Sequence, residues 1–563
     1  MRRSLPRALA AAALLLMVPL ATPAEDAADL LLVRGVFYPV EPAEVVRGTL
    51  AVREGVIVYL GTEDGAEAFR GPETVVVDLG GRAVTPGLID AHSHLAGLGA
   101  ALAEVDLVDT ASYEEVGARA ATAAAASPPG TWIRGRGWDQ NDWAEMAFPH
   151  HRELSAAVPD HPVWLTRIDG HAALLNARAL AELGIDASTA DPSGGRVLRD
   201  AEGLPTGVLV DNAMDLAAGR IAEPPDEERD RRLGRAADFA VARGLTTVTD
   251  MGVDEATIAA YRRLREADRL PLRAALFLTD SAPLLDDWFG RGPEIDPDGR
   301  LTVRGVKLYA DGALGSRGAA LVEPYADDDG NVGLLTASLD HLREVTARAT
   351  AAGFQVGIHA IGDRGNLVAL DAIEAVLADG RAADDRRPRI EHFQVARLQD
   401  VERLARLGVI ASMQPTHATS DMPWAGDRVG ERRLEGAYAW RKVLDAGGRL
   451  ALGSDFPVER VDPLLGLYAA VSRQDLASQP PEGWLPEERL DRQEALRGFT
   501  LDAADSLFLE HLVGSLAVGK RADLVVFDRD PMTVPVAEIP TVAVDLTLVD
   551  GVVVHRRIPE ATR

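Results

Sequence analysis

No cysteine occurs in the 563-residue chain, and only three of its 59 basic side chains, Lys307, Lys442 and Lys520, are lysine. The first absence excludes disulfides, thiolate nucleophiles and every cysteine-containing zinc or iron–sulfur site. Any metal must rest on histidine, aspartate, glutamate or something less usual. The second absence means that arginine serves wherever a generic positive charge suffices, so a lysine inside an apolar strand needs its own explanation. Positive charge is itself scarce: 87 acidic residues leave a net charge of −28, the wrong sign for gripping nucleic-acid phosphates. Beyond the N-terminus no apolar run is long enough to span a bilayer, and no stable membrane insertion is expected.

What remains is an ordinary globular composition, 47% hydrophobic and 26% charged, in a chain too long for one minimal core. Residues 1–24 place Arg2, Arg3 and Arg7 before an apolar run and a small-residue stretch ending at Ala24. That three-part layout predicts a signal peptide, and with it export to the periplasm or the medium. Short alternating strands and tight turns fill residues 25–86 and return over 505–563, so the two ends are expected to form one composite β-sandwich.

The middle, residues 87–504, alternates apolar β-runs with helical stretches rich in alanine, leucine and arginine. Eight such runs occur, near Gly87–His94, Leu245–Met251, Leu272–Leu278, Val303–Gly312, Phe354–Asp363, Arg389–Gln394, Val409–Pro415 and Arg449–Asp455. The pattern predicts an α/β protein with a TIM (β/α)8 barrel. Residues 109–243 exceed any ordinary strand-to-helix connection and are read as an insertion within the barrel, with a hairpin lid.

In such barrels the chemistry sits at the C-terminal ends of the strands. There the first run carries His92 and His94, the fourth Lys307, the fifth His359, the sixth His392 and the eighth Asp455. Imidazole and carboxylate without thiolate suit zinc, and also manganese, iron or nickel. Lys307 is the sharpest of these residues. A shielded lysine can lose its proton, and the neutral amine can add carbon dioxide to become a carbamate, an anion able to bridge two metals. The competing reading pairs Lys307 with Asp311 or another carboxylate. Trp138, Asp139, Asp169, His171, Arg317, Gln414 and His417 lie on segments that would line the pocket, each with an alternative structural role.

The pieces TPGLIDAHSH, GWDQNDW (Gly137–Trp143), RIDGHAALLN (Arg167–Asn176), VKLYADGALGSRGA (Val306–Ala319), GIHAIGDRGN (Gly357–Asn366), GSDFPV and GSLAVGKRADLVVFD resemble the metal-dependent amidohydrolase superfamily. The finer pattern is similar to its amidohydrolase-3 branch, the YtcJ-like proteins and N-substituted formamide deformylases. The resemblance implies one or two divalent ions, zinc first, with His92 and His94 on one and His359 and His392 on the other. It implies carboxylated Lys307 as the bridge and Asp455 as both ligand and catalytic base. The implied reaction is hydrolysis of a carbon–nitrogen bond in a small-molecule amide, N-formyl or N-acyl, by a homodimer. Cyclic-imide hydrolysis or deamination on the same scaffold, and a non-catalytic metal-binding regulatory role, remain the alternatives.

Overall fold

The computed structural model describes residues 27–217, 219–378 and 385–557; the expected signal peptide lies outside them. Its centre is a barrel-shaped sheet whose eight parallel strands follow chain order, with a two-residue antiparallel strand, Glu294–Ile295, paired to the fourth. They are β1 (Leu88–Ser93), β2 (Leu245–Val253), β3 (Arg273–Leu278), β4 (Leu301–Tyr309), β5 (Gln355–Ala360), β6 (Arg389–His392), β7 (Ile410–Met413) and β8 (Arg449–Leu452). Helices cover the outside, which is why β3 (RAALFL) and β5 (QVGIHA) are buried on both faces and read as unbroken runs rather than alternations.

No ladder joins β8 to β1 among the described residues. The seam is bridged just past the strand ends, where Asp455 N–H donates to His92 O at 2.8 Å and His94 N–H to Phe456 O at 2.8 Å. The Asp90 carboxylate adds to the seam by accepting from Ser454 N–H at 3.0 Å. The same backbone that closes the barrel therefore positions three of the candidate ligands.

Several sequence runs extend beyond their strands because the chain turns at the chemistry. His392 (φ 75°) and Asp455 (φ 62°) are both in the left-handed region, which only a few per cent of residues other than glycine occupy.

Between β1 and β2 the insertion forms its own six-stranded sheet. One face packs Leu107, Trp138, Trp143, Leu165 and Leu174, the other Trp164, Leu175 and Leu180. Its Gly195–Arg199 and Pro205–Asp211 strands pair as an antiparallel hairpin.

The two chain ends meet in one eight-stranded sheet, stitched where Leu524–Phe527 runs antiparallel to Ala83–Pro86. A single cluster takes Leu32 and Val52 from one end and Leu524 and Leu548 from the other. Buried Arg273 of β3 ties this sheet to the barrel through Asp523 at 2.7 and 2.9 Å. Removing one partner of such a pair would strand a buried charge, at a cost of about 3–5 kcal/mol. No helix among the described residues is long and apolar enough to cross a membrane.

Candidate metal centre

At the C-terminal mouth of the barrel, imidazoles from β1, β5 and β6 come together. The His92 ring lies 4.6 Å from that of His392, and His392 4.6 Å from that of His359. The outward nitrogens of His92, His94 and His392 each have a partner that decides what the inward nitrogen can do. His92 Nδ1 meets the Glu391 carboxylate at 2.7 Å, and His94 Nδ1 the Met251 carbonyl at 3.0 Å. Both partners only accept, so each Nδ1 carries the proton and each neutral Nε2 presents a lone pair. Those two lone pairs face Asp455 Oδ1 at 3.5 and 3.1 Å. Three acceptor atoms converge there, with the Lys307 amine 3.3 Å from His92 Nε2 beside them, an arrangement that a cation relieves.

His392 Nδ1 is held in the same way by Gln414 Oε1 at 2.8 Å. His417, on the short helix Pro415–Asp421 after β7, puts Nε2 3.6 Å from Asp455 Oδ2. Two tight groups result, His92–His94–Asp455 and His392–His417–Asp455, each with all ligand atoms within 4.8 Å of one another. Asp455 Oδ1 and His417 Nε2 are buried without a hydrogen-bond partner. Hard and borderline N/O donors of this kind fit a divalent ion.

His359 lines the mouth but turns Nε2 toward Gly312 O at 3.4 Å. Lys307 on β4 places Nζ 3.3 Å from His92 Nε2. These two candidate ligands stand beside the tight groups rather than inside them, whereas His417, read from sequence as a substrate contact, stands inside one.

Burial governs the electrostatics. It presses His92 down to about 4, helped by the Lys307 charge, and holds His359 and His392 well below the usual imidazole value. Burial also brings Lys307 down to about 8, against the pull of Glu391 and Asp455. Asp455 goes the other way: burial opposes its charge, yet His92, His94 and His392 hold it well below the carboxylate range. Lys307 has no carboxylate within ion-pair distance among the described residues. Asp311 is spent on the backbone N–H groups of Ala320, Ile361 and Gly362 at 2.8–3.0 Å, so it is not the lysine's partner.

The mouth opens into a cavity of about 920 Å³, lined by His359, His392, His417 and Asp455 from the barrel and by Arg136, Asp139, Arg167, Asp169 and His171 from the insertion. Arg167 is fully buried; it grips Asp169 at 2.6 Å, Gln140 at 2.8 Å and Asp139. His171 gives Nδ1–H to Asp211 Oδ1 at 2.8 Å. A Cβ on Gly312 or Gly318 would come within 2.5 or 2.4 Å of the Asp211 carboxylate, so two glycines keep room for it.

Two of the residues read toward the pocket stand elsewhere. Trp138 is buried in the insertion core with its indole N–H on Leu165 O at 2.8 Å, and Arg317 pairs with Asp327 at 2.9 Å. Gln414 acts through His392. Sequence reading passed over Glu391, whose neighbour His392 drew attention, and Arg136, one residue before the GWDQNDW piece.

A parallel barrel with imidazole and carboxylate ligands at its C-terminal mouth defines the metal-dependent hydrolases. Residues 75–555 match the model of the amidohydrolase family Amidohydro_3, and the chain belongs to that family. It is 36% identical over 524 residues to Protein LONG AFTER FAR-RED 3 of Arabidopsis thaliana, covering 91% of this chain and 89% of the relative. It is 30% identical over 547 residues to an N-substituted formamide deformylase of Arthrobacter pascens, covering 94% and 98%. An uncharacterized metal-dependent hydrolase from Pyrococcus horikoshii superposes with a TM-score of 0.73 at 30% identity, covering 90% of this chain and 99% of that one. The protein is thus an enzyme, an amidohydrolase acting on carbon–nitrogen bonds.

Proposed function

We propose that the enzyme hydrolyses a non-peptide amide of a small molecule, N-formyl or N-acyl, with zinc as the first choice of divalent ion and Asp455 as the base. The carrying observation is the convergence of the His92 and His94 Nε2 atoms on the Asp455 carboxylate at 3.5 and 3.1 Å. A bound divalent ion supplies Lewis acidity there and brings water within reach of deprotonation near neutral pH.

Asp455, held ionised by its histidines, accepts the proton of the attacking water and returns it to the leaving amine nitrogen. His171, backed by Asp211, lines the cavity; burial works against its charged form, but Asp211 and Asp169 raise its basicity, which suits it to the role of proton donor toward the acyl oxygen. Lys307, partly neutral near pH 7, adds carbon dioxide through Nζ and releases one proton, giving a carbamate beside His92. Residues 1–24 then serve as the export signal, the sheet from the two ends curls into the composite sandwich, and the working unit is a homodimer.

The test is a screen of N-formyl and N-acyl amines with zinc-reconstituted protein. Hydrolysis is expected, with Asp455→Asn lowering turnover by roughly 10²–10⁴-fold. Hydrolysis that survives this substitution untouched removes Asp455 as the base.

A further inference from the structure

The cavity's cations are not equivalent. Arg167 is neutralised by Asp139 and Asp169, Arg460 by Asp109 at 2.7 Å, and Arg243 lies on the Phe239 ring at 3.5 Å. Arg136 has no such partner. It comes from the inserted strand Ile133–Trp138, lines the cavity together with Asp455 and His171, and forms no ion pair among the described residues. Its guanidinium donates once, to Ile168 O at 2.7 Å, and its Nε is buried without any partner. The carboxylates whose charge reaches it are engaged elsewhere, Asp169 by Arg167, Asp455 among His92 and His94, and Glu104 by Arg134 at 2.8 Å.

A half-buried guanidinium whose Nε is shielded without a partner is open to an anion from the cavity, and the fork of N–H donors matches a carboxylate in two-point contact. The cavity is otherwise rich in acidic side chains, including Asp142, Asp421 and Glu459, which would repel an anion except beside such a cation. We propose that Arg136 is the anchor for a carboxylate carried by the substrate, so that the scissile amide belongs to an N-acyl or N-formyl amino acid rather than to a simple amine. This substrate class rests on the amide-hydrolase reading above; the anionic site itself does not.

The test compares matched probes on the zinc-loaded full chain: N-formyl-L-phenylalanine against N-formyl-2-phenylethylamine, and N-formyl-L-leucine against N-formyl-3-methylbutylamine. Each pair differs only by the carboxylate. Binding is measured by calorimetry and turnover as kcat/KM. The wild type is expected to favour the carboxylate member by about 10-fold or more, Arg136→Gln to bring that ratio near one, and Arg136→Lys to keep part of it. A mere structural role through Ile168 would weaken both members of a pair alike and leave the ratio intact. The proposal is overturned if the wild type shows no preference, if neither member binds measurably, or if Arg136→Gln retains the preference. Failure of every probe to turn over, with the binding preference present and dependent on Arg136, would overturn the hydrolytic reading and leave the anion site standing.

Discussion

The two walls of the cavity are unmatched in opposite senses. On the barrel wall the atoms without partners are lone pairs: Asp455 Oδ1 and His417 Nε2, with the Nε2 atoms of His92 and His94 aimed at the same carboxylate. Among the insertion residues that line the cavity, the unspent group is a donor, the Arg136 guanidinium. One wall calls for a cation and the other for an anion. On the barrel wall His92, His94 and His392 are each backed by a dedicated partner, Glu391, Met251 O or Gln414, whereas the insertion wall is held by one buried arginine shared among Asp139, Gln140 and Asp169. A metal needs ligands fixed to within tenths of an ångström, which a closed sheet provides, while substrate groups tolerate a grafted layer that can vary separately.

The contrast breaks if barrel-wall substitutions fail to change metal content or if insertion-wall substitutions do change it. The largest effect is expected at Lys307. Lys307→Ala removes the amine 3.3 Å from His92 Nε2 and, with it, the carbamate; bound zinc should fall by roughly half and turnover by about 10²-fold or more. Metal analysis of the folded variant that finds zinc unchanged would remove the bridging role.

Glu391→Gln comes next. It leaves His92 Nδ1–H a neutral acceptor and strips Arg389 of the charge it meets at 2.8 Å. Zinc affinity, read by competition with a chelator, should weaken by about 10–100-fold, with a lower melting temperature because Arg389 is fully buried. Undiminished zinc affinity would show that the carboxylate does not orient His92.

Much of the barrel was legible because strands covered by helices on both faces appear as bare apolar runs, and because the ligands sit where those runs end. The eight runs begin within two residues of the eight strands. What escaped depends on which way a side chain faces. Glu391 and His392 are adjacent, so pleating sends them to opposite sides, and Glu391 reaches back under His92 rather than into the mouth. Its signal was present all the same: Arg389 and Glu391 are two charges in a four-residue buried strand, which only mutual pairing and a functional partner explain. Trp138 misled because Asp139 caps a tight turn immediately after it, so the strand's last side chain packs into the insertion core while the turn faces the cavity. His417 comes from a helix whose reach toward Asp455 cannot be read from strand ends alone.

The smallest effect, and the one that separates the walls most cleanly, is expected at Asp211. Its carboxylate is buried, takes the His171 proton donor on Oδ1 and has no partner for Oδ2. Gly312 and Gly318 are kept bare around it, so its position is enforced by packing rather than by other hydrogen bonds. Asp211→Asn retains the shape and can still accept from His171 Nδ1–H, but it removes the negative charge that favours a protonated Nε2. Substrate affinity and zinc content should therefore hold, while kcat falls by about 10-fold as the donor to the acyl oxygen weakens. The same loss should appear as a kcat profile whose alkaline limb moves to lower pH, because His171 gives up its proton sooner without Asp211. A fall in zinc content would instead place Asp211 in the support of the metal centre through His171 and His359, whose rings are 5.0 Å apart, and the division between the two walls would not hold.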